Sequence, residues 1–193
     1  HSLSLNGSNQ YLTAVNSADF RFGSGDFTIE CWFYPTTVGR IHAIATQIQD
    51  GARGWFVDIT AANKLRLYGY VGSWQELGIS TTSVTVNTWQ HLAVTRDGNN
   101  FRVFLNGALE DTTVVSGSFT EETSNVLTVG YGALHGGHHY LLGFIDDFRI
   151  TKGISRYTAT FAVPTAAHDT RFNQVGDKKY NSGVWSINGS GND

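Results

Sequence analysis

The 193-residue chain holds one cysteine, two prolines and no methionine. A lone cysteine, Cys31, excludes an internal disulfide, though cysteine count by itself does not settle the compartment. Its neighbours Phe27, Ile29 and Phe33 share its period-two phase, which predicts a small core residue. Basic runs of five or more are absent, and the net charge is −3, from 13 basic and 16 acidic residues. Phosphate binding needs clustered Lys and Arg, so a nucleic-acid partner is not expected. A polybasic membrane contact is disfavoured for the same reason. No apolar stretch approaches the ~20 residues that a spanning helix needs, so membrane insertion is not expected.

What is plentiful is glycine, with 22 residues, and aromatic side chains, at 13%. With 40% hydrophobic and 15% charged residues this is a folding composition. Apolar residues recur at period two, broken by turn residues, which is the signature of a sandwich or barrel. Strands are predicted near 2–5, 10–15, 26–34, 41–48, 54–59, 64–70, 74–80, 90–96, 101–106, 109–115, 125–130 and 141–151. The clearest unit is a meander over 90–115, turned at Asp97–Asn100 and again at Asn106-Gly107, a pair suited to a hairpin with positive φ. Beyond Lys152, Gly153–Tyr157 is predicted to form one helical turn, and Phe161, Val163 and Pro164 a closing arm. Residues 1–165 are read as the domain and 166–193 as a C-terminal connector, in which Val184, Trp185 and Ile187 offer one strand. A start at His1 and an end rich in Gly, Ser and Asn suggest a module of a larger polypeptide.

Four segments, in order, resemble the laminin G-like, concanavalin A-like jelly-roll superfamily. They are Ser2–Leu12, Asp19–Glu30 with Trp32 and Pro35, Trp89–Gly98 with Asn106-Gly107, and Gly143–Ile150. The stretch Thr151–Phe161 resembles a subgroup found in phage tail, fibre and other virion proteins and in some bacterial surface proteins. The resemblance implies an all-β, two-sheet antiparallel jelly roll, often binding glycans at a rim or concave face. The superfamily hosts lectins, hydrolases and structural modules, so the fold alone does not name the function.

Hydrolases of this fold carry two carboxylates on one strand, one as nucleophile and one as acid. No such acid–apolar–acid segment occurs here: Glu121-Glu122 and Asp146-Asp147 are adjacent, and point apart on an extended chain. No Gly-x-Ser-x-Gly turn is present either. The chain is read as a non-enzyme.

The candidate site is a rim of loops. Tyr131–Tyr140 holds His135, His138 and His139, which could ligate a transition metal, bind a sugar together with Tyr131 and Tyr140, or simply be solvated. Trp74 follows a turn, where its flat ring and N–H suit stacking on a pyranose, the alternative being a residue that packs at the rim. Arg53 could bind an acidic sugar or be solvated. Related pentraxins place acidic calcium ligands in the corresponding loops; here one acid, Asp50, remains. Asp146 lies on the apolar-facing phase of its strand, where a carboxylate needs a backbone amide, an arginine or a calcium ion. Trp32, Trp55 and Trp89 are mid-strand and are read as core.

The expected ligand-contacting set is therefore Asp50, Arg53, Trp74, Tyr131, His135, His138, His139 and Tyr140, with Asp50 and Asp146 as candidate metal ligands. No cofactor is required beyond at most one structural calcium. The reading is a glycan-binding, lectin-like module of a larger virion or surface protein, attaching to cell-surface carbohydrate, extracellular or on a virion. The alternative is a structural decoration module that contacts neighbouring modules or subunits and has no sugar ligand.

Overall fold

The computed structural model describes residues 2–48, 53–121 and 123–166, together with the backbone of 185–188. In chain order the strands are β1 (Leu3–Asn6), β2 (Tyr11–Ala14), β3 (Phe27–Pro35), β4 (His42–Thr46), β5 (Trp55–Ile59), β6 (Lys64–Val71) and β7 (Ser73–Ser83). They continue as β8 (Gln90–Asp97), β9 (Asn100–Leu105), β10 (Ala108–Val114), β11 (Leu127–Val129), β12 (Tyr131–Leu134), β13 (Gly137–Tyr140), β14 (Leu142–Lys152) and β15 (Trp185–Asn188). The helical content of the described residues is one 3-10 turn at Ala18–Phe20.

Two antiparallel sheets form the sandwich. One has the order β1-β14-β3-β8-β9-β10 and the other β15-β2-β11-β4-β5-β6-β7. Their facing sides hold one core, because alternate residues of each strand point inward. Phe27, Ile29, Cys31 and Phe33 of β3 meet Trp55, Val57 and Ile59 of β5 and Leu65 and Leu67 of β6 there. The meander β8-β9-β10 is present, and its second turn has φ of 51° at Asn106 and 78° at Gly107.

The outer face of the six-stranded sheet is closed by the segment after β14. Gly153–Tyr157 is not the predicted helical turn but an arm without regular secondary structure, because side chains of the sheet take its backbone groups. Thr28 Oγ1 donates to Ile154 O and accepts from Arg156 N, while Thr95 Oγ1 donates to Tyr157 O. Tyr157 and Phe161 stack at 3.5 Å and lean on Phe104. Beneath them Glu30 is fully buried, taking two bonds from Arg149, at 2.9 and 2.6 Å, and one from Tyr157 Oη at 2.9 Å.

Two readings of strand phase change. Trp55 is core, but Trp32 and Trp89 are not: Cys31 and Phe33 occupy the inward phase of β3, and Trp89 is 41% exposed against Tyr34 and Phe144. Asp146 is not on the core-facing phase either. Ile145 faces the core, Asp147 takes φ of 48°, and a bulge between Asp146 and Arg149 resets the alternation so that Phe148 and Ile150 pack inward. Asp146 thus sits outward, in register with Trp32, its Oδ1 accepting from Asp147 N at 2.9 Å.

The backbone of β15 pairs antiparallel with β2, Trp185 opposite Ala14 and Asn188 opposite Tyr11, adding an edge strand to the seven-stranded sheet. The rest of the segment read as a connector, 167–184 and 189–193, lies outside the described residues.

Candidate functional site

The outer face of the seven-stranded sheet carries the candidate site. On β5 and β6 the residues between the core positions are Phe56 and Asp58, then Arg66, Tyr68 and Tyr70. The register sets Phe56 beside Tyr68 and Asp58 beside Arg66. The chain reverses at Gly72, with φ of 72°, and Trp74 of β7 falls opposite Tyr70. Cross-strand neighbours on one face touch, and here they form an aromatic ladder. Tyr68 and Trp74 stack with centroids 5.3 Å apart and planes 7° apart, and Tyr70 meets Trp74 edge-on at 5.6 Å.

An arginine caps each end. The Arg66 guanidinium lies 4.9 Å over Tyr68, and that of Arg53 lies 4.8 Å over Tyr70. Their partners differ. Arg66 donates from Nε and Nη2 to Asp58 Oδ1 and Oδ2, at 3.0 and 2.6 Å, and the Asp58 side chain is wholly buried. Burial pushes the Asp58 carboxyl up to about 6; Arg66 opposes the rise and Glu76 adds to it. Arg53 is exposed, and its guanidinium has no hydrogen bond or ion pair among the described residues.

The stretch expected to be a loop, Tyr131–Tyr140, is a hairpin, β12–β13, folded over this face. A Cβ on Gly132 would overlap the Phe56 ring and come within 2.8 Å of Thr46 Cγ2, so the hairpin backbone lies directly on the sheet. Its alternation divides the predicted site residues. Leu134 joins Ala43, Ile48 and Phe56 in a small cluster that Tyr68 and Trp74 flank, His139 stands edge-on to Phe56 at 6.3 Å, and His135 at the tip is edge-on to Tyr68 at 5.9 Å. His139 Nε2 donates to Leu134 O at 3.2 Å; burial lowers the ring's pKa and neighbouring His135 and His138 add to that, against the raising effect of this bond.

Tyr131, His138 and Tyr140 form a second group, with Tyr11 of β2. Tyr131 lies 4.6 Å from Tyr11 and 4.7 Å from Tyr140, and its hydroxyl is 2.8 Å from His138 Nδ1. The structure therefore brings Arg53, Trp74 and His135 to one ladder, sets His139 against Phe56, and holds Tyr131, His138 and Tyr140 apart. Asp50 lies outside the described residues. Because His138 and His139 fall on opposite sides of the hairpin, they do not converge on one ion. Among the described residues no three His, Cys, Asp or Glu side chains gather as metal ligands.

Sequence reasoning missed Phe56, Asp58, Arg66, Tyr68 and Tyr70. The signal was in plain view: Leu65, Leu67 and Val71 alternate with Arg66, Tyr68 and Tyr70, so three large groups share the face opposite the core.

Two antiparallel sheets, a core between them and an aromatic outer face define a concanavalin A-like jelly roll. The chain belongs to the concanavalin A-like lectin/glucanases superfamily, whose laminin G-type profile matches residues 6–155. No curated protein matches it. Among solved structures it is similar to CBM40 of the Ruminococcus gnavus IT-sialidase bound to alpha2,3 sialyllactose, at 12% identity and TM-score 0.64, covering 80% of this chain and 92% of that one. It is similar to domain 4 of an extracellular arabinanase from Geobacillus stearothermophilus in complex with arabinotriose, at 15% identity and TM-score 0.56, covering 70% of this chain. It also resembles the LG4-5 domains of the mouse laminin alpha1 chain, at 13% identity and TM-score 0.61, covering 78% of this chain. This chain spans 64% of the arabinanase chain and 40% of the laminin chain. At these identities the likeness is one of fold.

Proposed function

We propose that the chain is a non-catalytic glycan-binding module of a larger extracellular or virion-surface protein, and that the ladder of Tyr68, Trp74 and Tyr70 is its contact surface. The observation that carries this reading is the ladder itself: stacked aromatic rings on an outer sheet face, capped by arginines and overhung by His135. Aromatic faces take the C–H side of a sugar ring, and arginine and histidine N–H groups take its hydroxyls. Support also comes from relatives in fold that hold arabinotriose and alpha2,3 sialyllactose. The non-catalytic reading rests on Asp58, whose two oxygens are both engaged by Arg66. Screening the protein against a glycan array, with Trp74→Ala beside the parent and His138→Ala as a control in the other aromatic group, tests the proposal. Saccharide binding that falls with Trp74→Ala and survives His138→Ala supports the ladder; an array blank at all saccharides sinks it.

The assembly role has an observation of its own. Exposed Trp89 and half-buried Tyr34 and Phe144 form an aromatic patch on the opposite sheet, with centroid spacings of 5.6, 5.7 and 6.4 Å. If that role is primary, Trp89→Ser abolishes self-association in sedimentation while the array stays blank for both proteins.

A further inference from the structure

We infer that the ladder site selects saccharides that carry a carboxylate, and that Arg53 is the group that reads it. The inference rests on the glycan-binding reading above and deepens it by naming the ligand class.

Two guanidinium groups border the ladder, and among the described residues only that of Arg53 has no hydrogen bond or ion pair. Arg66 gives a bidentate pair of bonds to Asp58, and its side chain is 16% exposed while that of Asp58 is 0% exposed. An anion approaching Arg66 would have to displace a buried carboxylate, which would then lack a partner. Arg53 is placed differently. Its guanidinium rests on the face of Tyr70 at 4.8 Å, and among the described residues it makes no ion pair. A guanidinium held by its flat side keeps its in-plane N–H fork free. That fork matches the two oxygens of a carboxylate.

Position adds direction. Tyr70, which carries Arg53, touches Trp74 edge-on at 5.6 Å, so the Arg53 guanidinium stands beside the stacking platform. At the far end, Glu76 faces Tyr68 in register and acts electrostatically on both Asp58 and Arg66. An acidic sugar lying on the ladder is attracted at the Arg53 end and repelled at the Glu76 end. One repulsive and one attractive charge orient a ligand better than either alone. A neutral sugar still stacks but gains nothing from this polarity.

The test compares matched ligands by calorimetry in low salt: trigalacturonate against its methyl ester, and alpha2,3 sialyllactose against lactose. The two pairs separate uronic from sialic acids as the carboxylate source. The acid of at least one pair is expected to bind about tenfold or more tightly than its neutral partner. Added salt should narrow that ratio. Arg53→Gln should bring the acid down to about the affinity of the neutral form, whose own affinity should fall by much less. Arg53→Lys should restore part of the preference, as a point charge without the fork. Equal binding of acid and neutral forms by the parent overturns the carboxylate inference and leaves the glycan reading standing. Loss of both forms in Arg53→Gln, with an unchanged Tm, also overturns it, since Arg53 would then support the platform rather than read charge. No binding by any of the four, joined to a blank array, removes the glycan reading itself.

Discussion

Trp74 lies flat against Tyr68, with ring centroids 5.3 Å apart and planes within 7° of parallel. The pair spans two strands, β6 and β7, and packs at the margin of the cluster formed by Ala43, Ile48, Phe56 and Leu134. Trp74→Ala removes one wall of the stack without opening the main core. The expected result is a loss of about 1–3 kcal/mol in glycan binding, the range for an engaged aromatic anchor. Stability should fall by only about 1–2 kcal/mol, because the side chain is half-buried. Calorimetric titration and thermal melts of the same preparation decide this. A steep drop in Tm with affinity intact would place Trp74 in a structural role.

The sandwich was legible because its strands alternate. Phe27, Ile29, Cys31 and Phe33, or Leu65 and Leu67, announce a buried face without any knowledge of partners. The site was legible only in part. Trp74 and the histidines stood out as residue types, but the ladder depends on register. Asp58 meets Arg66, and Tyr70 meets Trp74, only once β5, β6 and β7 are aligned, and no local pattern states that alignment. Asp146 was misplaced for a different reason: alternation was read straight through a bulge that one left-handed residue, Asp147, creates. The β12–β13 hairpin was hidden by its own glycines, which signal turns in a sequence but here allow a backbone to rest on Phe56.

That contact gives a second prediction. Gly132→Ala places a methyl group into the Phe56 ring and against Thr46. Overpacking of this kind typically costs about 1–3 kcal/mol. The hairpin should lift from the sheet, carrying His135 away from Tyr68, so ladder binding should weaken along with stability. Amide exchange along 131–140 checks it, with faster exchange expected in the variant. Unchanged exchange and Tm would mean that the sheet yields instead.

Glu30 is expected to contribute to acid stability. Burial by itself would raise its carboxyl, but bonds from the Arg149 and Tyr157 side chains, and His91 with Nε2 at 3.6 Å, hold it down at about 2. A carboxyl with a lower pKa folded than unfolded stabilises the fold above its unfolded value of 4.5, and that contribution is lost as pH falls toward 2. The shift corresponds to an upper bound of about 3 kcal/mol. Glu30→Gln should therefore flatten the dependence of denaturant stability on pH between 4.5 and 2. It should also loosen the Tyr157 arm, seen as faster proteolysis after Arg156. An unaltered slope in that window would show that other carboxylates carry the acid transition.

Chelation is expected to leave the fold intact. The described residues contain no cluster of three potential ligands, and Asp146 already accepts a bond from the backbone. Melts with and without a chelator should agree within about 1 °C, since metal at free concentration L stabilises the fold only by RT ln(1 + L/Kd) at a site that binds it. A large drop restored by calcium alone would point to Asp50 and its neighbours.

Truncation after Ala166 separates a connector from a structural tail. Among the described residues the core cluster runs from Leu5 to Ile145, with Phe148 and Ile150 packed against it, and this is expected to let the shortened chain fold. What it loses is β15, four residues paired with Tyr11–Ala14 of β2. That pairing covers the edge of the seven-stranded sheet, and β2 keeps its other neighbour, β11. The expected stability loss is small, about 1–2 kcal/mol, because the strand removed is a short one at the edge of its sheet. The larger effect should be on association. A newly bare edge offers unpaired N–H and C=O groups to another chain, so the truncated protein should self-associate with rising concentration where the full chain does not. Sedimentation velocity across a concentration series measures this beside the melting curves. A truncated monomer with the parent's Tm would make 166–193 a connector whose strand contributes nothing to the domain. Collapse of the isolated monomer would show that the seventh strand completes the sandwich.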